Sequence, residues 1–82
     1  MNRESVLANL KEAKEELDRT ITELESTPDY EYGDFVIAMG HLYHHLNTAW
    51  NTQDESVEAT RECSDDNFQK WRKFPPSEDL ML

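Results

Sequence analysis

Residues 35–53, FVIAMGHLYHHLNTAWNTQ, contain no Asp, Glu, Lys or Arg, although these four types make up 32% of the chain. At 100° per residue, nine apolar side chains of this run fall within an arc of roughly 160° on a helical wheel. They are Phe35, Val36, Ala38, Met39, Leu42, Tyr43, Leu46, Ala49 and Trp50. Because this arc is broader than a stripe that packs against one neighbour, we predict a helix over about residues 34–52 that contacts more than one.

An earlier helix is predicted over about residues 3–26, where apolar residues recur at steps of three or four. They are Val6, Leu10, Ala13, Leu17, Ile21 and Leu24. Pro28 disfavours helix at the preceding residue, Gly33 supplies a turn, and Asp34 is a candidate N-cap. A loop of about eight residues favours an antiparallel hairpin with the apolar stripe of the first helix packed in it. Leu24 is then expected near Phe35, and Leu10 near Trp50.

After Gln53 the apolar pattern is weaker, and we predict two shorter helices at about residues 55–63 and 65–73, followed by a tail over 75–82. Asp54 or Ser56 is expected to cap the first, and Ser64 the second. Phe68, Trp71 and Phe74 are three apart and form a stripe that folds back on the hairpin, and Cys63 is interpreted as a small core residue. The predicted fold class is all-α: a two-helix hairpin with one or two shorter C-terminal helices, in one domain over residues 1–82.

The length, charge and cysteine content limit the classes of function. A chain of 82 residues buries a small core, so association as a homodimer is a reasonable expectation. The net charge of −10 opposes binding to nucleic acid and to anionic lipid. Three His, two Asn, two Thr and a Gln in the uncharged run make a membrane span too costly. One cysteine and no signal-like N-terminus indicate a reducing, cytoplasmic location.

Three histidines within HLYHH raise the question of a metal site. His41 and His45 are four residues apart and can face one ion, with His44 or a carboxylate such as Glu12 or Glu16 as a further ligand. The segment lacks the glutamate of HExxH, which excludes that type of metalloprotease. A divalent metal is therefore expected only as an alternative, and we favour ordinary polar residues at the rim of a packed helix.

No set of residues suggests catalysis, so the leading hypothesis is a non-enzymatic protein–protein interaction module that acts as a homo-oligomer. Its interface is predicted to use six residues of the second helix and the C-terminal segment: Val36, Tyr43, Trp50, Phe68, Trp71 and Phe74. Two alternatives remain open. One is a metal-binding helical protein that uses His41 and His45, and the other is an acidic mimic that blocks a basic nucleic-acid-binding surface.

Overall fold

A computed structural model describes residues 1–62 and 64–80 and shows a small all-α bundle, as predicted. Two long helices, α1 (Arg3–Ser26) and α2 (Tyr32–Thr52), pack against each other. Three short helices follow: α3 (Val57–Thr60), α4 (Asp65–Trp71) and α5 (Ser77–Leu80). α2 contacts both α1 and α4, so the prediction of more than one neighbour is confirmed.

Helix α1 begins and ends where the sequence predicts, and its N-cap connects it to the rest of the chain. Asn2 accepts a hydrogen bond from the backbone N–H of Ser5 at 3.1 Å through its Oδ1. Its own backbone N–H donates to the carbonyl of Gln53 at 2.7 Å, and its Nδ2 donates to Thr60 Oγ1 at 3.0 Å. The buried Asn2 therefore joins the start of α1 to the end of α2 and to α3.

Helix α2 begins two residues earlier than predicted, at Tyr32, and its N-cap is Glu31, not Asp34. Gly33, which was predicted to supply a turn, is therefore the second residue of the helix, and the turn lies at Pro28 and Asp29. Asp34 is the third residue of the helix, where its Oδ2 accepts a hydrogen bond from the backbone N–H of Glu31 at 3.0 Å. This is one half of a capping box, in which the acidic side chain at the third position satisfies the N-cap donor. The carboxylate of Asp34 thus stabilises the helix start from within the first turn.

The short helices differ from the prediction mainly in length. α3 is a single turn with Ser56 as its N-cap, not a helix over 55–63, because few apolar residues in this segment pack against neighbours. α4 has Ser64 as its N-cap, as predicted, but ends at Trp71 instead of residue 73. Cys63, Met81 and Leu82 lie outside the described residues, as do the predictions made for them.

Prolines explain the end of α4. Continuing the helix would require N–H groups from Pro75 and Pro76 for the carbonyls of Trp71 and Arg72, and proline has none. Asparagines of α2 take their place: Asn51 Nδ2 donates to the carbonyl of Trp71 at 2.8 Å, and Asn47 Nδ2 donates to that of Arg72 at 2.9 Å. These two bonds hold the end of α4 against α2. The tail then forms α5, which the sequence did not predict.

The two long helices form the predicted antiparallel hairpin but meet through small and polar side chains, which we call the polar seam. Three cross-helix pairs define it: Ser5–Thr52, Asn9–His45 and Glu16–His41, with closest separations of 2.7, 3.3 and 3.6 Å. The small side chains buried on the same rows are Ala13, Thr20 and Ala49. The expectation that the apolar stripe of α1 packs in the hairpin is therefore wrong for its leucines and isoleucine, which are 44–54% exposed, whereas Ala13 is buried and Val6 half-buried.

The hydrogen bonds along the polar seam allow each donor and acceptor to be assigned without conflict. Thr52 Oγ1 donates to the carbonyl of Thr48 at 2.7 Å, so Ser5 must supply the hydrogen in the Ser5–Thr52 pair. Asn9 Nδ2 donates to the carbonyl of Ser5 at 2.9 Å, which leaves Asn9 Oδ1 to accept from His45 Nδ1. Each polar group at the Thr52 end of the seam thus has a partner.

Thr52 is 0% exposed, and Thr52→Val is expected to destabilise the fold although it adds an apolar group. Valine has the same shape but leaves the buried Ser5 hydroxyl without its acceptor, at a cost of about 1–3 kcal/mol. Urea unfolding followed by circular dichroism measures this. Thr48→Val is the matched control, because the Thr48 hydroxyl bonds only within its own helix, to the carbonyl of His44. Equal losses in the two variants would contradict the role assigned to the seam.

The chain buries few apolar side chains on its own. Within residues 1–62 and 64–80, Ala13, Ala49 and Trp71 are the buried apolar residues. The radius of gyration is 14.4 Å, whereas a compact domain of this length has about 12 Å. The hairpin is thus elongated and leaves much of its apolar surface at the exterior.

Candidate interaction surface

One side of the hairpin carries a continuous apolar surface, which we call the apolar face. On a helical wheel its residues are centred about 110° from the seam residues in α1 and about 150° from those in α2, turned in the same sense in both antiparallel helices. Its members are Leu10, Leu17, Ile21 and Leu24 of α1, and Phe35, Val36, Met39, Tyr43, Leu46 and Trp50 of α2. Apart from the half-buried Met39, all of them are exposed.

Two depressions lie in the apolar face. The first, of about 490 Å³, is at the end where α1 begins, and its lining includes Val6, Leu10, Leu46, Trp50, Phe74 and Leu80. It shows that Leu10 and Trp50 are neighbours, as the predicted hairpin requires. The second, of about 430 Å³, follows the first half of α2 and is lined by Tyr32, Phe35, Val36, Met39, Gly40 and Tyr43.

Gly40 contributes open space to this second depression. A Cβ atom built at Gly40 would meet nothing within 4 Å, so no group of residues 1–62 and 64–80 requires glycine there. Glycine in a helix interior costs about 1 kcal/mol relative to alanine. Within the part of the chain that the structure describes, no other backbone approaches Gly40 closely enough to account for this cost.

The six predicted interface residues separate into three groups. Val36, Tyr43 and Trp50 belong to the apolar face. Phe74 lies at its edge, where its ring meets that of Tyr43 edge-on at a centroid distance of 5.3 Å. Phe68 and Trp71 lie on the other side of α2, where Trp71 is 7% exposed and belongs to the core. The four α1 residues of the apolar face were missed, because their periodicity was interpreted as packing against α2.

The three histidines have different neighbours. Nδ1 of His41 lies 3.6 Å from Glu16 Oε1, and Nδ1 of His45 lies 3.3 Å from Asn9 Oδ1. The ring of His44 packs against Phe68 of α4 at a centroid distance of 4.8 Å. In residues 1–62 and 64–80, no group of three or more His, Cys, Asp or Glu is placed to hold a metal ion. The proposed ligands His41, His44, His45, Glu12 and Glu16 do not form such a group.

His44 has a perturbed environment. Burial lowers its pKa below the ordinary value for histidine, and nearby His45, Arg72 and His41 lower it further by charge repulsion. Its Nδ1 is buried and has no hydrogen-bond partner among the described residues. His44 points away from the apolar face, toward the side of α2 that α4 covers.

Protonation of His44 is expected to destabilise the fold as the pH falls. The folded chain binds the proton less readily than the unfolded chain. The contribution of neutral His44 to the free energy of unfolding is therefore complete above the unfolded pKa of about 6.5 and is lost progressively below it. The unfolding temperature should therefore fall between pH 7.5 and 5.5, and less so in His44→Gln. His41→Gln, at an exposed ring, is the matched control. Parallel pH profiles for His44→Gln and the unsubstituted protein would contradict the assignment.

The basic cluster QKWRKF at the end of α4 is largely occupied within the chain. Lys70 Nζ lies 3.1 Å from Glu55 Oε1, and the Arg72 guanidinium lies over the Phe68 ring at 5.4 Å. These contacts agree with a structural role for the cluster at a helix C-terminus.

Comparisons with known proteins give no information about the apolar face, so its interpretation depends on its geometry. No protein-family model, curated protein or solved structure matches the chain. Across residues 1–62 and 64–80, no helix has both the length and the hydropathy of a membrane span.

Proposed function

We propose that the protein is a non-enzymatic protein–protein interaction module that acts as a homo-oligomer through its apolar face. The observation that supports this most is the division of roles within the hairpin: small and polar residues hold α1 against α2, while most of the large apolar residues of both helices remain on one open side. A soluble protein seldom exposes a continuous apolar surface of this kind unless it binds another molecule.

The size of the apolar face fits a weak dimer. It runs over about 16 residues of each helix, which gives a length of roughly 24 Å, and two helices 8–10 Å apart give a width of roughly 20 Å. One copy therefore presents about 480 Å², so two copies bury about 960 Å², close to the roughly 1,000 Å² at which biological interfaces begin. The chain's own small core makes this additional burial important for stability.

The decisive experiment is a mass measurement by light scattering coupled to size-exclusion chromatography. We expect twice the chain mass of 9.7 kDa at micromolar concentrations, with a shift toward one chain mass on dilution. A single-chain mass up to several hundred micromolar would overturn the proposal. The alternatives, metal binding through His41 and His45 and mimicry of nucleic acid, remain predictions from the sequence.

A further inference from the structure

The hairpin turn is the most acidic part of the protein. Residues 20–60 contain no Lys or Arg, whereas five carboxylates lie in the last turn of α1, the connecting loop and the first turn of α2. We call this part of the molecule the acidic end, and its members are Glu23, Glu25, Asp29, Glu31 and Asp34. Four of them are exposed and Glu23 is half-buried.

No basic side chain neutralises the acidic end. Within residues 1–62 and 64–80, none of its carboxylates forms an ion pair with Lys, Arg or His. Arg19, the nearest basic residue along the chain, lies 2.8 Å from Glu16. Glu31 and Asp34 accept hydrogen bonds from each other's backbone N–H in the capping box, and these bonds leave both negative charges in place. The charge of this end can therefore act on a bound molecule.

The apolar face extends into the acidic end. Its 430 Å³ depression begins at Tyr32, which is 81% exposed and directly follows Glu31. On the helical wheel, Glu25 lies at the edge of the apolar face. Glu23 and Asp34 point away from the face, about one helix diameter from it, a distance close to the Debye length at physiological salt. The carboxylates nearer to the depression therefore contribute most of the field there.

We propose that the apolar face, at the acidic end, binds a basic amphipathic helix of another protein. The inference rests on the proposed role of the apolar face in protein–protein interaction and adds the chemistry of a partner other than a second copy. Such a helix places its apolar side chains in the depression and its Lys and Arg side chains beside the carboxylates.

The dimensions of the apolar face fit one helix. Its length of roughly 24 Å corresponds to about 16 helical residues, and its width of roughly 20 Å accommodates a helix of about 10 Å diameter. Within the depression, Gly40 has no side chain, and a Cβ atom built there would meet nothing within 4 Å. Large apolar side chains of the partner therefore have room beside Gly40.

A basic helix has an electrostatic advantage over a second copy. Each copy of the chain carries a net charge of −10, so self-association brings like charges together. A helix with several Lys or Arg residues meets charges of the opposite sign instead. Because both occupants use the same apolar side chains, the basic helix is expected to displace the second copy.

Peptide binding by the full chain tests the inference. The probe is a fluorescein-labelled helical peptide of about 18 residues, with Leu at steps of three and four and Lys elsewhere. Its matched control has Glu in place of Lys. We expect fluorescence anisotropy to show roughly tenfold or tighter binding of the Lys peptide relative to the Glu peptide, and a similar loss between roughly 50 and 500 mM salt. Equal affinity for the two peptides would overturn the inference.

Neutralisation of the acidic end distinguishes binding at this site from general attraction to an acidic protein. Glu23→Gln, Glu25→Gln and Asp29→Asn together should weaken binding of the Lys peptide by roughly fivefold or more. The matched control removes three exposed charges away from the acidic end. Its substitutions are Glu15→Gln, Asp54→Asn and Glu58→Gln. An equal loss in this control would show that the peptide does not recognise the acidic end.

Val36→Ser tests the apolar part of the site. Val36 lines the depression, whereas Ile37 points away from the apolar face. We expect Val36→Ser to weaken binding of the Lys peptide by roughly fivefold or more, and Ile37→Ser to leave it unchanged. Equal affinities of the two variants would exclude the depression as the binding site.

Light scattering separates the failure of this inference from the failure of the proposed self-association. With excess Lys peptide, we expect the mass to fall from that of two chains to that of one chain with one peptide. Peptide bound to an intact dimer, or a dimer that binds no peptide, would overturn the inference and leave self-association standing. A single-chain mass without peptide would overturn self-association, and binding of the Lys peptide to that single chain would still support the basic partner.

Discussion

Leu46→Glu is expected to convert the protein to a monomer. Leu46 is near the centre of the α2 part of the apolar face and is 42% exposed in the single chain. Burial of a leucine side chain contributes about 1.5–3 kcal/mol, and a two-fold interface contains two copies of it. The substitution should weaken association by roughly 100-fold or more, and a buried carboxylate adds to the loss. Light scattering at matched concentrations measures the change.

Ile37→Glu is the matched control for Leu46→Glu. Ile37 is on the same helix, is also apolar and is 63% exposed, but it lies about 140° around α2 from Trp50, away from the apolar face. Its replacement should leave the oligomeric mass and the circular dichroism spectrum unchanged. If Ile37→Glu dissociated the protein as fully as Leu46→Glu, the surface used for association would not be the apolar face.

Trp71→Ala is expected to cause the largest loss of stability within one chain. Trp71 is the only large apolar side chain that is buried among residues 1–62 and 64–80, and it holds α4 against α2. Truncation of a buried tryptophan typically costs about 3–5 kcal/mol, a large part of the stability of a small domain. Urea unfolding followed by circular dichroism, with Leu46→Glu present in both proteins so that association does not contribute, measures the loss.

Trp50→Ala in the same Leu46→Glu background distinguishes the role of Trp50 from that of Trp71. Trp50 is 39% exposed on the apolar face, so we expect its removal to cost the monomer less than half as much as the removal of Trp71. In the otherwise unsubstituted protein, Trp50→Ala should instead weaken association. If Trp50→Ala and Trp71→Ala lowered the free energy of unfolding of the monomer equally, the assignment of Trp71 to the core and Trp50 to the interface would be incorrect.

Much of the fold follows from the sequence, because local signals agree with the tertiary contacts. The three- and four-residue spacing from Val6 to Leu24 predicted α1 with its observed bounds. Pro28 marked the break between the two long helices and Ser64 capped α4 as expected, whereas Gly33 lies inside α2 and not in a turn before it. The start of α2 was displaced by two residues, since Asp34 is equally suited to the N-cap and to the third position of a capping box.

The side of each helix that faces the other could not be predicted from apolar periodicity alone. That reasoning assumes that the apolar stripe of α1 packs inside its own chain, whereas here Ser5, Asn9 and Thr20 take that position. Their spacing of four and eleven residues also follows a helical face and, in retrospect, is the signal that identifies the polar seam. The burial of His44 depends on the packing of α4 against α2. The weak apolar pattern of the C-terminal segment does not predict where α4 packs.

The pairs Ser5–Thr52, Asn9–His45 and Glu16–His41 also prevent the two long helices from sliding past each other. A shift by one turn, about 5.4 Å, would leave buried hydroxyl and amide groups without partners, whereas leucines can exchange neighbours at little cost. The alignment of α1 with α2 is therefore unique, and the two halves of the apolar surface keep a constant spacing. Under the proposed function, such a rigid surface is expected to select a partner by shape and to disfavour the many loosely fitting complexes that an adaptable apolar surface would accept.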